Sequence, residues 1–354
     1  MSQPGIELEP LTAWLAARLP GLAPPLELTQ VGRGRSNLTY AVRDAAGARM
    51  VLRRPPLGEL LPSAHDMRRE HRVLAALADT DVPVPRSLAF CEDPAVTGAP
   101  FYAMELLDGA VLDARDPAER LAPAARAAVA GSLARTLARL HALDADALGL
   151  GDLGRGAGYA ERQLRRWSRQ WAESRTRELP VVERVATALA AGVPPARETR
   201  IVHGDYNLAN VVVSRDGAVV GVLDWELCTL GDPVADLGTL LVYWPDDERQ
   251  ALRDRDAIPL LSAFGSRREL IDAYAAAAPG RDLSALPFWL ALAYWKLAII
   301  LEGVHARWLE QPANGGPAAP LAKEAADHAA ALAEGVLTGE VPVVGERTGA
   351  TQPA

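Results

Sequence analysis

The chain has 354 residues, of which 49% are hydrophobic and 23% charged, with a net charge of −8. That length suffices for two lobes with a sizeable core, and the acidic balance argues against the basic stripe of a nucleic-acid binder. Its two cysteines, Cys91 and Cys228, stand in no metal-ligand spacing, which excludes a disulfide framework and predicts a reduced, cytoplasmic setting.

The opening MSQPGIELEP has neither a basic start nor an apolar run, so no secretory signal is expected. Leu11, Trp14, Leu15 and Leu19 share one face of a helix predicted over 10–19. Strands are expected at 26–32, 38–43 and 49–53, the first two joined by GRGRSN and the last two by a turn at Ala46-Gly47. A helix follows at 65–79, with Met67, Leu74, Leu77 and Ala78 inward and Arg68, Arg69 and Arg72 outward. Strands at 82–90 and 99–107 complete a small antiparallel α+β lobe.

Helical periodicity then takes over. Val129, Leu133, Leu137 and Leu140 mark a helix at 123–142, and Leu164, Trp167 and Trp171 mark another at 159–174, ringed by arginines. TRIVHGD, NVVVS and AVVGVLDW read as three strands, the last two closed by an Asp216-Gly217 turn. Further helices are expected at 233–243, 266–277 (with a Ser266–Glu269 capping box) and 284–309. The most apolar stretch, 286–301, is interrupted by Pro287 and Lys296 and reads as a buried helix, not a membrane span. Residues 338–354 are expected to be disordered.

The chemistry lies in HGDYNLAN at 203–210 and LDWE at 223–226. Phosphoryl transfer from a nucleotide needs one group to orient the attacking hydroxyl and others to hold the metal that neutralises the phosphates. Asp205, at the end of an apolar strand, suits a general base. Asn210, five residues on, can offer an amide oxygen to Mg²⁺, and Asp224 a charged one. Upstream, Gly32, Gly34, Ser36 and Asn37 form a glycine-bearing loop whose amides could meet phosphate oxygens. Arginine stands where a kinase strand carries V-A-I-K. Strand alternation turns only one of Arg53 and Arg54 inward. Arg53 is favoured, with Glu70 on the next helix as its partner.

These motifs resemble the aminoglycoside phosphotransferase and choline-kinase-like superfamily, whose fold is similar to that of the protein kinases. SNLTY, VLRRPP, REHRVL, MELLDG and LDWELCTLGDPVADLG follow in the family's order, so the resemblance covers roughly residues 25–310. It implies a two-lobed α+β protein-kinase-like fold, with an N-lobe over 1–107 and a mainly helical C-lobe over 108–337. It implies ATP and Mg²⁺ as cofactors, Asp205 as catalytic base, and Asn210 and Asp224 as metal ligands. Asp236 would brace the catalytic loop, His203 would pack within it, and Glu226 would meet a second metal, a water or a structural partner. Met104, Glu105 and Leu106 would form the adenine-binding hinge. The acceptor is expected to be a small molecule bearing a hydroxyl, with no nucleic acid or membrane partner, on a monomer or homodimer.

Two features point to different acceptors. The acidic Asp246, Asp247 and Glu248 suit a cationic aminoglycoside, whereas Arg162, Arg166 and Trp167 suit an anionic thioester. VLRRPP, LLPSAH, GLGDLGR and RQLRRWSRQW most resemble the subgroup fused to acyl-CoA dehydrogenase modules, implicated in phosphorylating hydroxyacyl-CoA. An aminoglycoside O-phosphotransferase, and a nucleotide-binding protein without activity, are the alternatives. DWE in place of D-F-G and the absence of A-P-E speak against a protein kinase.

Overall fold

The computed structural model describes residues 3–31, 37–57, 66–252, 254–312 and 319–345. The chain forms two compact units. Residues 1–109 and 220–227 make the first, and 110–219 with 228–354 the second. The linear division at 107/108 differs from this by two residues and by the return of 220–227.

In the first unit, helix α1 (Leu8–Ala16) is followed by strands β1 (Glu27–Val31), β2 (Leu38–Arg43) and β3 (Arg49–Arg54). Helix α2 (Met67–Leu77), β4 (Ser87–Cys91), the short α3 (Pro94–Thr97) and β5 (Phe101–Glu105) complete it. The strands form one antiparallel sheet in the order β1-β2-β3-β5-β4. The apolar faces of α1 and the sheet meet in a core that includes Leu11, Leu15, Tyr40, Leu52 and Phe101. Strand β4 is shorter than the expected 82–90, because Pro83 and Pro85 lack the amide a ladder needs. Asp66 caps α2 by accepting from the Arg69 amide at 3.0 Å. Met67, Leu74 and Leu77 point inward as their spacing predicts, and Glu70 is buried beside them.

The second unit begins with β6 (Ala110–Val111) and the helices α4 (Arg115–Glu119), α5 (Pro123–Ala142), α6 (Tyr159–Ser174) and α7 (Pro180–Ala191). Strands β7 (Arg200–Val202), β8 (Val211–Val213) and β10 (Thr229–Gly231) belong to it as well, while β9 (Val219–Val222) leads into the stretch counted with the first unit. Helices α8 (Pro233–Val242), α9 (Arg267–Ala277), α10 (Leu286–Glu310) and α11 (Ala322–Thr338) follow. Strand β7 pairs antiparallel with β10, and β6 with β8. The Ser266–Glu269 capping box forms at the start of α9. Helix α10 is long and apolar enough to cross a membrane by composition, but 78% of its apolar window is buried in the protein. It packs against α8 and α11.

Helices α7 and α11 were not expected from the sequence. The first is rich in β-branched residues and the second in alanines, which pack closely without the large apolar repeats that signal a helix. The expectation of disorder from 338 onward is corrected as far as Gly345. The Gly345 amide donates to the buried Asp246 carboxylate at 2.9 Å, and Val341 closes onto the Gly335 carbonyl at 2.9 Å. The rest of that segment lies outside the described residues.

Candidate active site

In the first unit β3 alternates as its register demands. Arg53 Nε approaches Glu70 Oε2 at 3.0 Å, and Nη2 contacts Asp224 Oδ1. The Nε contact is electrostatic, since its N–H is not aligned for a hydrogen bond. Arg54 turns the other way and is buried against the Thr97 carbonyl at 2.9 Å. Burial acts to strip the proton from Arg53, but the neighbouring carboxylates of Glu70 and Asp224 more than offset it and hold the guanidinium protonated. Tyr102 donates to Glu70 Oε2 at 2.8 Å.

Asn37 donates through Nδ2 to Glu70 Oε1 at 3.1 Å and to Glu226 Oε2 at 3.3 Å. Facing two acceptor-only carboxylates with its NH₂ fixes the amide's orientation. Its buried Oδ1 then has no partner among the described residues. Carboxylate oxygens of Glu70, Asp224 and Glu226 lie within 4.8 Å of one another. An all-oxygen set with an orphaned amide oxygen beside it fits a hard divalent cation. Asp224 holds φ at 65°, a left-handed conformation that non-glycine residues adopt at a cost.

In the second unit the loop after β7 is held from several sides. Asp236, at the start of α8 and 1% exposed, accepts from the His203 amide at 2.6 Å and the Gly204 amide at 2.8 Å. Gly204 sits at φ 85°, which turns its amide and carbonyl where a side chain would be strained. Asp205 Oδ2 accepts from Asn210 Nδ2 at 2.9 Å and Oδ1 from Asn207 Nδ2 at 3.2 Å. The same two amides reach the Asp205 carbonyl at 2.8 and 3.0 Å. With its nitrogen on Asp205, Asn210 keeps its oxygen turned away, available to a cation. His203 packs inside the loop and accepts the Asp205 amide on Nδ1 at 3.2 Å.

Three residues of this loop's setting escaped the sequence reading: Asn207, His141 and Lys296. Lys296 donates to the Gly204 carbonyl at 3.1 Å and sits 5.4 Å over the Trp167 ring, and the Arg166 guanidinium lies 5.5 Å from the same ring. Burial lowers the Lys296 ammonium's pKa, while the Asp205 charge works to raise it. The signal was a lone lysine inside the most apolar segment of the chain.

Other expected residues fall elsewhere. Gly32, Gly34 and Ser36 lie outside the described residues. Met104 is buried in β5 and Glu105 exposed at its end, with the Glu105 amide on the Arg86 carbonyl at 2.9 Å; Leu106 follows directly. Arg162 folds onto the carbonyls of Arg155 and Ala157, closing its own loop. Asp246 is buried and accepts from the Arg267 amide at 3.0 Å, while Asp247 pairs with Arg249 at 2.7 Å.

A sheet-bearing first unit, a helical second unit and a braced H-x-D loop are the marks of kinase-like phosphotransferases. The chain belongs to the phosphotransferase enzyme family, which it matches over residues 27–279. It is 36% identical over 300 residues to acyl-CoA dehydrogenase family member 10 of Mus musculus, covering 83% of this chain and 28% of that protein. Acyl-CoA dehydrogenase family member 11 of Rattus norvegicus is 36% identical over 326 residues, covering 87% and 40%. The chain thus spans well under half the length of these relatives. A Ralstonia eutropha protein classed with the aminoglycoside phosphotransferases superposes with a TM-score of 0.76 at 32% identity, over 93% of this chain and 98% of that one. The fold is the protein-kinase-like α+β fold.

Proposed function

We propose that this phosphotransferase moves the γ-phosphoryl group of ATP to a hydroxyl of a hydroxyacyl-CoA. The observation that carries the transfer is the immobilised Asp205: two asparagine amides grip its carboxylate while Asp236 fixes the backbone before it. Such a carboxylate orients an acceptor hydroxyl and takes its proton as the new O–P bond forms and the bond from the γ-phosphorus to the β-phosphate oxygen breaks. Asn210 and Asp224 are the residues we assign to Mg²⁺, with Glu226 beside Asp224 as a further oxygen. The ion supplies charge neutralisation for the phosphates. Arg53 is assigned to the phosphates, where a planar guanidinium can bridge two oxygens.

Two observations favour an acyl-CoA thioester. Lys296 and Arg166 flank Trp167 beside Gly204, offering positive charge and an aromatic face to an acceptor with carbonyl and phosphate groups. Asp246, which might have drawn a cationic aminoglycoside, is buried and engaged. The curated relatives bear acyl-CoA dehydrogenase names, which agrees with this class. On this reading the partner is the small acceptor and the setting cytoplasmic.

The test is ADP release with hydroxyacyl-CoAs, aminoglycosides, macrolides, amino alcohols and sugars as acceptors. We expect turnover with the thioesters and a loss of roughly 10²–10⁴ in Asp205→Ala. A specific aminoglycoside response with no thioester response overturns the acceptor. Equal rates in Asp205→Ala and the unaltered protein overturn the transfer itself.

A further inference from the structure

Behind Asp236 runs a line of polar groups, fully buried at His141 and Tyr274 and half-buried at Arg281 and Glu198. His141 Nε2 lies 3.2 Å from Asp236 Oδ2, and His141 Nδ1 lies 2.7 Å from the Tyr274 hydroxyl. Arg281 Nη1 donates to that hydroxyl at 2.9 Å, and Arg281 Nε to Glu198 at 2.6 Å. The members come from α5, α9 and the segments flanking β7 and α10, yet His141 and Tyr274 are both fully buried.

We propose that Tyr274, Arg281 and Glu198 are positioning residues for the Asp205 loop, acting through His141 and Asp236. With a neutral His141 ring, the direction of every proton in the line follows from donor and acceptor chemistry. Arginine can only donate, so the Tyr274 oxygen accepts from Arg281 and its hydrogen points to His141 Nδ1. A carboxylate can only accept, so His141 carries its hydrogen on Nε2 and gives it to Asp236. Burial lowers the His141 pKa, consistent with the neutral ring this direction requires. Each donor polarises the next, and all of them point at the carboxylate that grips the His203 and Gly204 amides. Glu198 anchors the remote end, with Arg200 Nε on its other oxygen at 3.1 Å. Arg281 is further fixed by donating to the His141 carbonyl at 3.1 Å. A ring that served packing alone would need none of these oxygens.

The inference rests on the proposed role of Asp205, so the test has one arm that activity does not touch. Tyr274→Phe keeps the ring and removes only the oxygen. In the isotopically labelled full chain, the amide proton resonances of His203 and Gly204 should move upfield as their bonds to Asp236 weaken. For ADP release from MgATP, kcat should fall about three- to tenfold, the worth of one neutral hydrogen bond, with KM for ATP unchanged. Arg281→Met should move both readouts the same way, and Arg281→Lys should restore part of the loss. Unchanged amide resonances in folded Tyr274→Phe overturn the proposal, as does a rise in KM with kcat intact. If the unaltered protein releases no ADP with any acceptor, the phosphotransfer reading fails, and the two resonances still decide whether the line positions the loop.

Discussion

Asp224 sits at φ 65° while one of its oxygens meets Arg53. Backbone strain of this kind costs on the order of 1–3 kcal/mol and persists where surrounding contacts over-determine it. Replacing the side chain separates the two contributions. Asp224→Gly loses the carboxylate but relaxes the backbone, whereas Asp224→Ala loses the carboxylate and keeps the strain. Asp224→Gly should therefore be more stable than Asp224→Ala by about 1 kcal/mol, read as urea midpoints at equal slope, with neither variant active. Greater stability in the alanine variant would mean that the left-handed geometry is not what the fold holds there. Neighbouring Arg53 shows why this corner was readable in advance. Strand alternation required that only one of two adjacent arginines turn inward, with Arg53 favoured, and the structure turns Arg53 to Glu70 and Arg54 to backbone carbonyls. The strain at Asp224, by contrast, is set by contacts remote in sequence and leaves no local mark.

Elements were legible where large apolar residues repeat on one face. Helix α5 occupies the 123–142 expected from Val129, Leu133, Leu137 and Leu140, and α6 the 159–174 expected from Leu164, Trp167 and Trp171. The alanine-rich α11 was not legible, and although α8 was expected, its sequence carries no sign of how closely it approaches its neighbour at Gly238. A Cβ there would come within 2.7 Å of the Trp289 carbonyl carbon and 3.0 Å of the Leu290 amide, both backbone atoms of α10. Backbone cannot yield as a flexible side chain can. Gly238→Ala should destabilise by about 1–3 kcal/mol in spite of alanine's better helix propensity, with thermal melts as the check; a neutral or higher melting temperature would refute the close approach. Asp236 in the same helix makes a pH prediction. Burial alone would raise its carboxyl, but the hydrogen bond from His141 and the Gly204 amide carry it below its ordinary value of 3.8. Because the folded value is depressed, the stabilisation is full above about pH 4 and fades as pH falls through the folded value. Asp236→Asn should thus cost about 2–3 kcal/mol near neutral pH, with the gap to the unaltered protein narrowing below pH 4 in urea titrations. A pH-independent gap would contradict the ionised carboxylate.

For the whole molecule, the decisive question is whether nucleotide and metal bind as one linked unit. The chain's net charge is −8, and Glu70, Asp224 and Glu226 gather three carboxylates around the single guanidinium of Arg53. A divalent cation relieves that imbalance and brings a phosphate chain with it, so it should bind the folded state far better than the unfolded one. A non-hydrolysable ATP analogue with Mg²⁺ at about 100 times its Kd should stabilise by about 2.7 kcal/mol. That corresponds to a melting-temperature rise of several degrees, and chelation with EDTA should remove most of it. Asp224→Asn should abolish the magnesium-dependent part, because an amide oxygen carries no net charge to hold the ion. Asp205→Asn should keep nearly the full shift while losing turnover, since a base that meets the acceptor contributes little to nucleotide affinity. Those two variants pull binding and chemistry apart: a shift that survives Asp224→Asn and EDTA alike would place the nucleotide's hold on Arg53 alone, and would remove the metal from the reaction we assign to this chain.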